Sequence, residues 1–133
     1  MDQKEYKTPR HLYVLHAPRL RWINDEGEMC SVIKIGCTYS PVERCKKLQY
    51  ITLAKLEIIR DYGLWKGPHA WRLEKDIHNS MTEMKYRMDG TREWYAVPDL
   101  DEILSALDKS IASIEDRQNV AMRSDRGRRR PLS

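Results

Sequence analysis

Five side chains hold the chemistry that can be read from this chain of 133 residues: Tyr13, Lys34, Arg44, Glu74 and, one helical turn beyond Glu74, His78. Each of the first four stands where a structural residue would be apolar, or places a cation beside apolar neighbours. A tyrosine, two cations and one carboxylate contain no Ser/His or Cys/His couple for acyl transfer. No glycine-rich run accompanies them to cradle a nucleotide. The set suits phosphodiester hydrolysis: a carboxylate to hold Mg²⁺ or Mn²⁺, cations to neutralise the pentavalent phosphate, and a phenol or metal-bound water to carry the proton. Each residue also has a structural alternative. Tyr13 could close a strand at the edge of the core with its hydroxyl in water, and Arg44 could pair on the surface with Glu43 or Glu57. Glu74 has Arg72 and Lys75 as neighbours, but these point elsewhere on a helix. A carboxylate beside an apolar stripe therefore needs another partner, and a metal would serve. His78 also reads as a satisfied, half-buried histidine.

For these residues to meet, the intervening chain must fold them together. HLYVLHA (His11–Ala17) and SVIKIG (Ser31–Gly36) are apolar, β-prone runs. Pro18 is expected to stop the first, and the turn signal Asn24, Asp25, Glu26, Gly27 makes a long hairpin between them. Ser40, Pro41 and Glu43 form a helix start with an N-cap hydroxyl, proline at the first position and a capping-box glutamate, which predicts a helix over Pro41–Gln49. Leu56–Trp65 alternates imperfectly and reads as a strand closed by Gly67 and Pro68. Ala70, Leu73, Ile77 and Met81 then make the buried stripe of a second helix, with Glu74 beside it. A turn at Asp89 and Gly90 leads to a short strand over Glu93–Val97. Pro98 and Asp99 open a last helix whose stripe is Leu100, Ile103, Leu104, Leu107, Ile111 and Ile114. The order β-β-α-β-α-β-α, hairpin first and without internal repeats, predicts a small α+β fold with its sheet covered by helices.

Composition bounds the rest. With 41% apolar and 33% charged residues, the chain is long enough for one domain with a core and too short for two ordinary ones. No stretch approaches the roughly 18 apolar residues of a membrane span, and Met1–Arg10 is polar, so neither a membrane segment nor a secretory leader is expected. Cys30, Cys37 and Cys45 are odd in number and lack CxxC spacing, which argues against a disulfide framework or zinc ribbon and for reduced thiols in an intracellular, cytoplasmic setting. Charge is concentrated at the end. From Arg117 onward, Arg117, Arg123, Arg126, Arg128, Arg129 and Arg130 face the single acid Asp125, a local +5 in a chain of net +4, so the 116 residues before it sum to −1. Such a tail reads as a disordered arm that attracts phosphate, or as a solubilising end.

HLY (His11–Tyr13), KIG (Lys34–Gly36), Arg44 ten residues after Lys34 in TYSPVERCKKLQ, LEKDIH (Leu73–His78) and EWY (Glu93–Tyr95) follow one another across residues 11–97. Together they resemble the GIY-YIG nuclease superfamily, and most of all its compact phage and bacterial branch with a KIG second motif. The resemblance implies a three-stranded antiparallel sheet flanked by helices. The match makes residues 11–97 a nuclease domain; beside it the chain is expected to carry an N-terminal arm over 1–10, a helix packed on the domain over 98–116 and a basic tail over 117–133. It makes Tyr13 the tyrosine of the first motif, Lys34 the counterpart of the second-motif tyrosine, Arg44 the phosphate-contacting arginine and Glu74 the ligand of a single Mg²⁺ or Mn²⁺. His78 is a candidate helper. DNA would lie against Arg44, Lys34 and the tail arginines Arg126, Arg128, Arg129 and Arg130, and a double-strand break would need a homodimer or sequential nicks.

The chain departs from that pattern in informative places. His11 replaces the first-motif glycine, and the spacer from Tyr13 to Lys34 is long, which an extended hairpin absorbs. Lys34 can hold a phosphate but is a poor base unless burial lowers its pKa, so proton transfer falls to Tyr13 or to metal-bound water. Leu48 stands where many relatives carry a histidine or tyrosine. His11, His16 and His69 have no assigned role. Trp94 and Tyr95 are expected to close the core, Trp22 to stack on a base or cover the sheet, and Cys37 to be a small buried hydrophobe beside the cleft. Two functions compete with a DNA endonuclease. One is a decayed module that binds DNA or a host protein without cutting; the other, supported only by the tail, is an RNA-binding or ribonuclease domain.

Overall fold

The computed structural model describes residues 8–118. The first seven residues of the expected arm, and Arg123, Arg126, Arg128, Arg129 and Arg130 of the tail, lie outside the described residues. The chain runs β1 (Arg10–Ile23), β2 (Met29–Thr38), α1 (Pro41–Thr52), β3 (Glu57–Trp65), α2 (Gly67–Glu83), β4 (Trp94–Val97) and α3 (Leu100–Gln118). The fold is α+β, one antiparallel sheet in the order β3-β1-β2-β4 with helices on both faces. The sheet has four strands rather than three because the EWYAV segment pairs with β2, Ser31 opposite Val97 and Lys34 opposite Trp94. No helix among the described residues is long and apolar enough to cross a membrane. All three cysteines are free thiols.

Pro18 does not end the first strand. β1 continues to Ile23, and the pairing with β2 skips from Ala17–Val32 to Arg21–Ser31, so residues 18–20 bulge out. β1 pairs with β3 only as far as His16. Proline therefore withholds its missing N–H where no ladder asks for it. Arg21 holds the bulge, its Nη1 donating to the carbonyls of Pro18 (2.9 Å) and Leu20 (3.2 Å). At the tip, Asn24 Oδ1 accepts from the backbone of Glu26 and Glu28, which ties the turn to one side chain.

Helix α1 starts as expected, with Ser40 Oγ accepting from the Glu43 amide at 3.3 Å and Pro41 in the first turn. It ends at Thr52 rather than Gln49, because nothing before Leu53 breaks it; there the backbone turns left-handed at φ 58° and the Leu53 amide donates to Gln49 O. The imperfect alternation of β3 is a bulge. Tyr62 and Gly63 face one β1 residue, and Gly63 takes φ 95°, which favours glycine.

Alternation along the central strands divides the core. Leu12 and Val14 of β1 and Ile33 and Ile35 of β2 point toward α2 and α3, where they meet Leu73, Ile77 and Met81 and then Ile103, Leu104, Leu107 and Ile111. Tyr13, Leu15, Ala17 and Val32 point to the opposite face, where α1 contributes Cys45 and Leu48. Both helical stripes read from spacing are thus buried, with Leu100 and Ile114 half-covered at the ends of the second. Arg60 on β3 also clamps α3, donating Nε (2.9 Å) and Nη2 (3.0 Å) to the Asp108 carboxylate, which accepts from Tyr62 as well (2.7 Å).

Candidate active site

β4 covers β2 only as far as Lys34, and β2 continues to Thr38. Near that uncovered stretch the structure opens a cleft of about 610 Å³, lined by Tyr13 from β1, Cys37 from β2, Arg44 from α1, Glu74 and His78 from α2, and Glu93 just before β4. Four of the five residues singled out by type and spacing therefore share one cavity. The fifth, Lys34, sits behind it. Its ammonium, 5% exposed as a residue, is ion-paired to Glu93 and lies 5.8 Å from the centroid of the Tyr13 ring. Lysine at this position thus anchors a carboxylate.

Tyr13 and Gly36 are cross-strand partners. A Cβ at residue 36 would stand 3.0 Å from the Tyr13 hydroxyl and 3.2 Å from Cζ, so the KIG glycine makes the bed in which the phenol lies. Burial pushes the Tyr13 phenol well above the usual tyrosine range; Arg44 pulls it down, and Glu93, Glu74 and Cys37 push it further up. Its proton is held firmly. Arg44 reaches the cleft from the exposed side of α1, and neither Glu43 nor Glu57 pairs with it among the described residues. Leu48, one turn on, turns inward to the apolar cluster under α1.

Glu74 and His78 lie one turn apart on α2, Nε2 to Oε2 at 3.2 Å, and both are largely buried. The other ring nitrogen of His78, Nδ1, meets the Tyr95 hydroxyl, and the two rings stack with centroids 5.6 Å apart. Burial, with help from Glu93 and Glu74, raises the Tyr95 phenol above its ordinary value. Tyr95 therefore keeps its proton; its hydroxyl lies between His78 Nδ1 and the Arg92 carbonyl, to which it donates at 3.4 Å, and His78 reaches Glu74 through Nε2. Burial would raise the Glu93 carboxyl, but hydrogen bonding and charge from Lys34, with His78 and Glu74 adding to them, bring it below the usual carboxylate value. It stays ionised. Glu74, His78 and Glu93 each offer a ligand atom, all within 4.8 Å of one another.

Glu93 is a cleft residue that sequence reasoning missed. It was visible as the first residue of EWY, but Trp94 and Tyr95 dominate that run as core residues, and only the pairing with β2 brings it to Lys34. Cys37, expected as a small buried hydrophobe, is half-buried against the core and also lines the cleft, its Sγ 3.5 Å from Ala70 O, and burial beside Glu74 raises its thiol pKa. The tail arginines proposed for DNA contact, Arg126, Arg128, Arg129 and Arg130, lie outside the described residues.

In comparison with known families, residues 10–112 match the T5orf172 domain. No curated protein and no solved structure matches the chain.

Proposed function

The chain belongs to the T5orf172 domain family, and from that premise we propose that it is a divalent-metal-dependent DNA endonuclease with a GIY-YIG-type site, hydrolysing a phosphodiester bond by in-line attack of water. The family is associated with nuclease-like and DNA-binding function. The finer reading is carried by one observation: Tyr13, Arg44 and Glu74, from three different elements, converge on a single cleft.

The residues present fit a divalent ion, because two carboxylates with a nitrogen donor beside them leave room for the water and substrate oxygens that Mg²⁺ or Mn²⁺ retains. Glu74 and Glu93 would hold it, and His78 orients Glu74. When bound, such an ion supplies Lewis-acid polarisation of the phosphate. The protein's own groups do the rest. Arg44 neutralises the negative charge that grows on the phosphoryl oxygens, where a fixed cation acts most strongly. Tyr13, its proton retained, donates a hydrogen bond that orients the attacking water, and becomes a proton relay only as far as neighbouring positive charge lowers its pKa. Lys34 holds Glu93 in place.

Purified protein with supercoiled plasmid tests this directly: nicked circles are expected with Mg²⁺ or Mn²⁺ and none with EDTA. A second reading, binding without cutting, draws on the commitment of Lys34 to Glu93 and the firmly held Tyr13 proton, which leave neither as a ready base. A mobility shift without nicking would favour it, and absence of both would remove both readings.

A further inference from the structure

Helix α2 presents Trp71 to the same cleft, one turn before Glu74 and directly below Lys75. The indole is 41% exposed, a large apolar surface to leave in water beside a charged site. The Lys75 ammonium lies 5.2 Å from its centroid. A second such pair stands close by: Tyr39, at the end of β2 and 52% exposed, carries the Arg10 guanidinium 4.9 Å from its ring centroid, and Arg10 lines the cleft. Arg87 and Arg92 add cations to the wall. Aromatic faces interleaved with cations form a platform for unpaired bases, whose π-faces stack while their phosphates meet the charges. In a duplex each base has both faces covered by its neighbours. A ring such as Trp71 gains a base only when that base is unstacked from the helix.

We propose that the cleft takes an unpaired DNA nucleotide, its base stacked on Trp71 and its phosphate directed toward Arg44 and Glu74. This deepens the endonuclease reading and rests on it. The substrate class becomes single-stranded DNA, or duplex DNA locally opened at the scissile phosphate. Trp71 and Glu74 lie three residues apart on one helix, so base and phosphate of one nucleotide can be held by neighbouring side chains.

The test measures binding of a short single-stranded oligodeoxynucleotide and of its perfectly paired duplex to the full chain in EDTA, where no strand is cut. The single strand is expected to bind more tightly and to quench tryptophan emission. Trp71→Ala should weaken single-strand binding on the order of tenfold, the range of one lost base–aromatic stack, and leave duplex binding nearly unchanged. Trp71→Phe should restore most of the affinity while abolishing the quench. Preference for the duplex, or equal loss on both DNAs in a Trp71→Ala protein that melts like the parent, would overturn the proposal and leave the endonuclease reading standing. Absence of binding to either DNA would instead remove the endonuclease reading beneath it. A misfolded Trp71→Ala shows itself by losing the parent's cooperative thermal melt, and Trp71→Phe then decides by its affinity and quench.

Discussion

On the face covered by α2 and α3, the sheet buries a continuous apolar layer from Leu12 and Val14 through Ile33 and Ile35 to Tyr95 and Val97, and the polar clamp of Arg60, Tyr62 and Asp108 stands at its rim. On the face covered by α1, the apolar cluster is smaller, and the same strands place Tyr13, Lys34 and Gly36 there. Lys34 is the one fully buried charged residue among those described. Removing a charge from water costs several kcal/mol unless a partner compensates, and Glu93 is that partner. Two layers made from alternate residues of the same strands thus divide their tasks. One supplies most of the apolar burial that stabilises the fold; the other sacrifices packing to set Tyr13 and the Lys34–Glu93 pair at a cleft, which α2 completes from the apolar side with Glu74 and His78.

The strongest way to break that division is to change the cleft and watch stability. Glu74→Gln is expected to abolish metal-dependent nicking, since a neutral amide keeps the shape and loses the charge, while the melting temperature moves by less than about 3 °C. Arg44→Ala should slow nicking on the order of 10²- to 10³-fold, as loss of a transition-state charge contact does. Unchanged nicking by Glu74→Gln, or an Arg44→Ala defect confined to DNA affinity, would place the chemistry elsewhere.

Adjacent β2 residues sharpen the comparison. Gly36→Ala drives a methyl group against the rigid Tyr13 ring at 3.0–3.3 Å, so it should destabilise by about 1–3 kcal/mol and depress the rate of the molecules that remain folded. Ile35→Val, on the opposite face, should cost about 0.5–1.5 kcal/mol and leave the rate per folded molecule unchanged. Thermal melts paired with nicking assays separate the two; an Ile35→Val enzyme slowed as much as Gly36→Ala would erase the distinction between faces.

The difference between the faces also explains what was legible in the residues alone. Periodicity revealed the stripes Ala70–Leu73–Ile77–Met81 and Ile103–Leu104–Leu107–Ile111 because apolar burial is repetitive, and the Ser40–Pro41–Glu43 start because capping is local. Tyr13, Arg44, Glu74 and His78 were visible as polar residues out of place or spaced along a helix, and their order brought them to one cleft. What escaped was non-local. The ion pair of Lys34 with Glu93 spans 59 residues of chain and depends on how β4 registers against β2. The passage of β1 through Pro18 depends on the absence of a β3 partner and on Arg21 reaching back to two carbonyls. Trp71 escaped as well, because exposure beside a cleft has no periodic signature.

The smallest expected effect belongs to the rim of the apolar face, and it tests whether α3 contributes only stability. Asp108 is held below the ordinary carboxylate pKa, first by its hydrogen bonds with Arg60, against a smaller opposing effect of burial, and then by Tyr62 and the Arg60 charge. Its folded pKa therefore lies under the unfolded value near 3.8. Below the folded pKa both states carry the proton and the clamp adds nothing through ionisation; above the unfolded value both are ionised and the full contribution is present. The clamp's ionic contribution should accordingly be constant at neutral pH and fade as pH falls from about 4 toward the folded pKa. Because the side chains of Arg60 and Asp108 are 37% and 42% exposed, solvent screening keeps the contribution near that of a well-formed surface pair, about 1 kcal/mol or less. Asp108→Asn should lower stability at pH 7 by that amount in chemical melts, and the gap to the parent protein should narrow through the acid range. Nicking at a temperature where both proteins are folded should not change, since no residue of the clamp lines the cleft. A gap that persists undiminished below pH 3 would mean that Asp108 acts through packing rather than charge, and a loss of nicking at full folding would join α3 to the cleft and undo the division between the two faces.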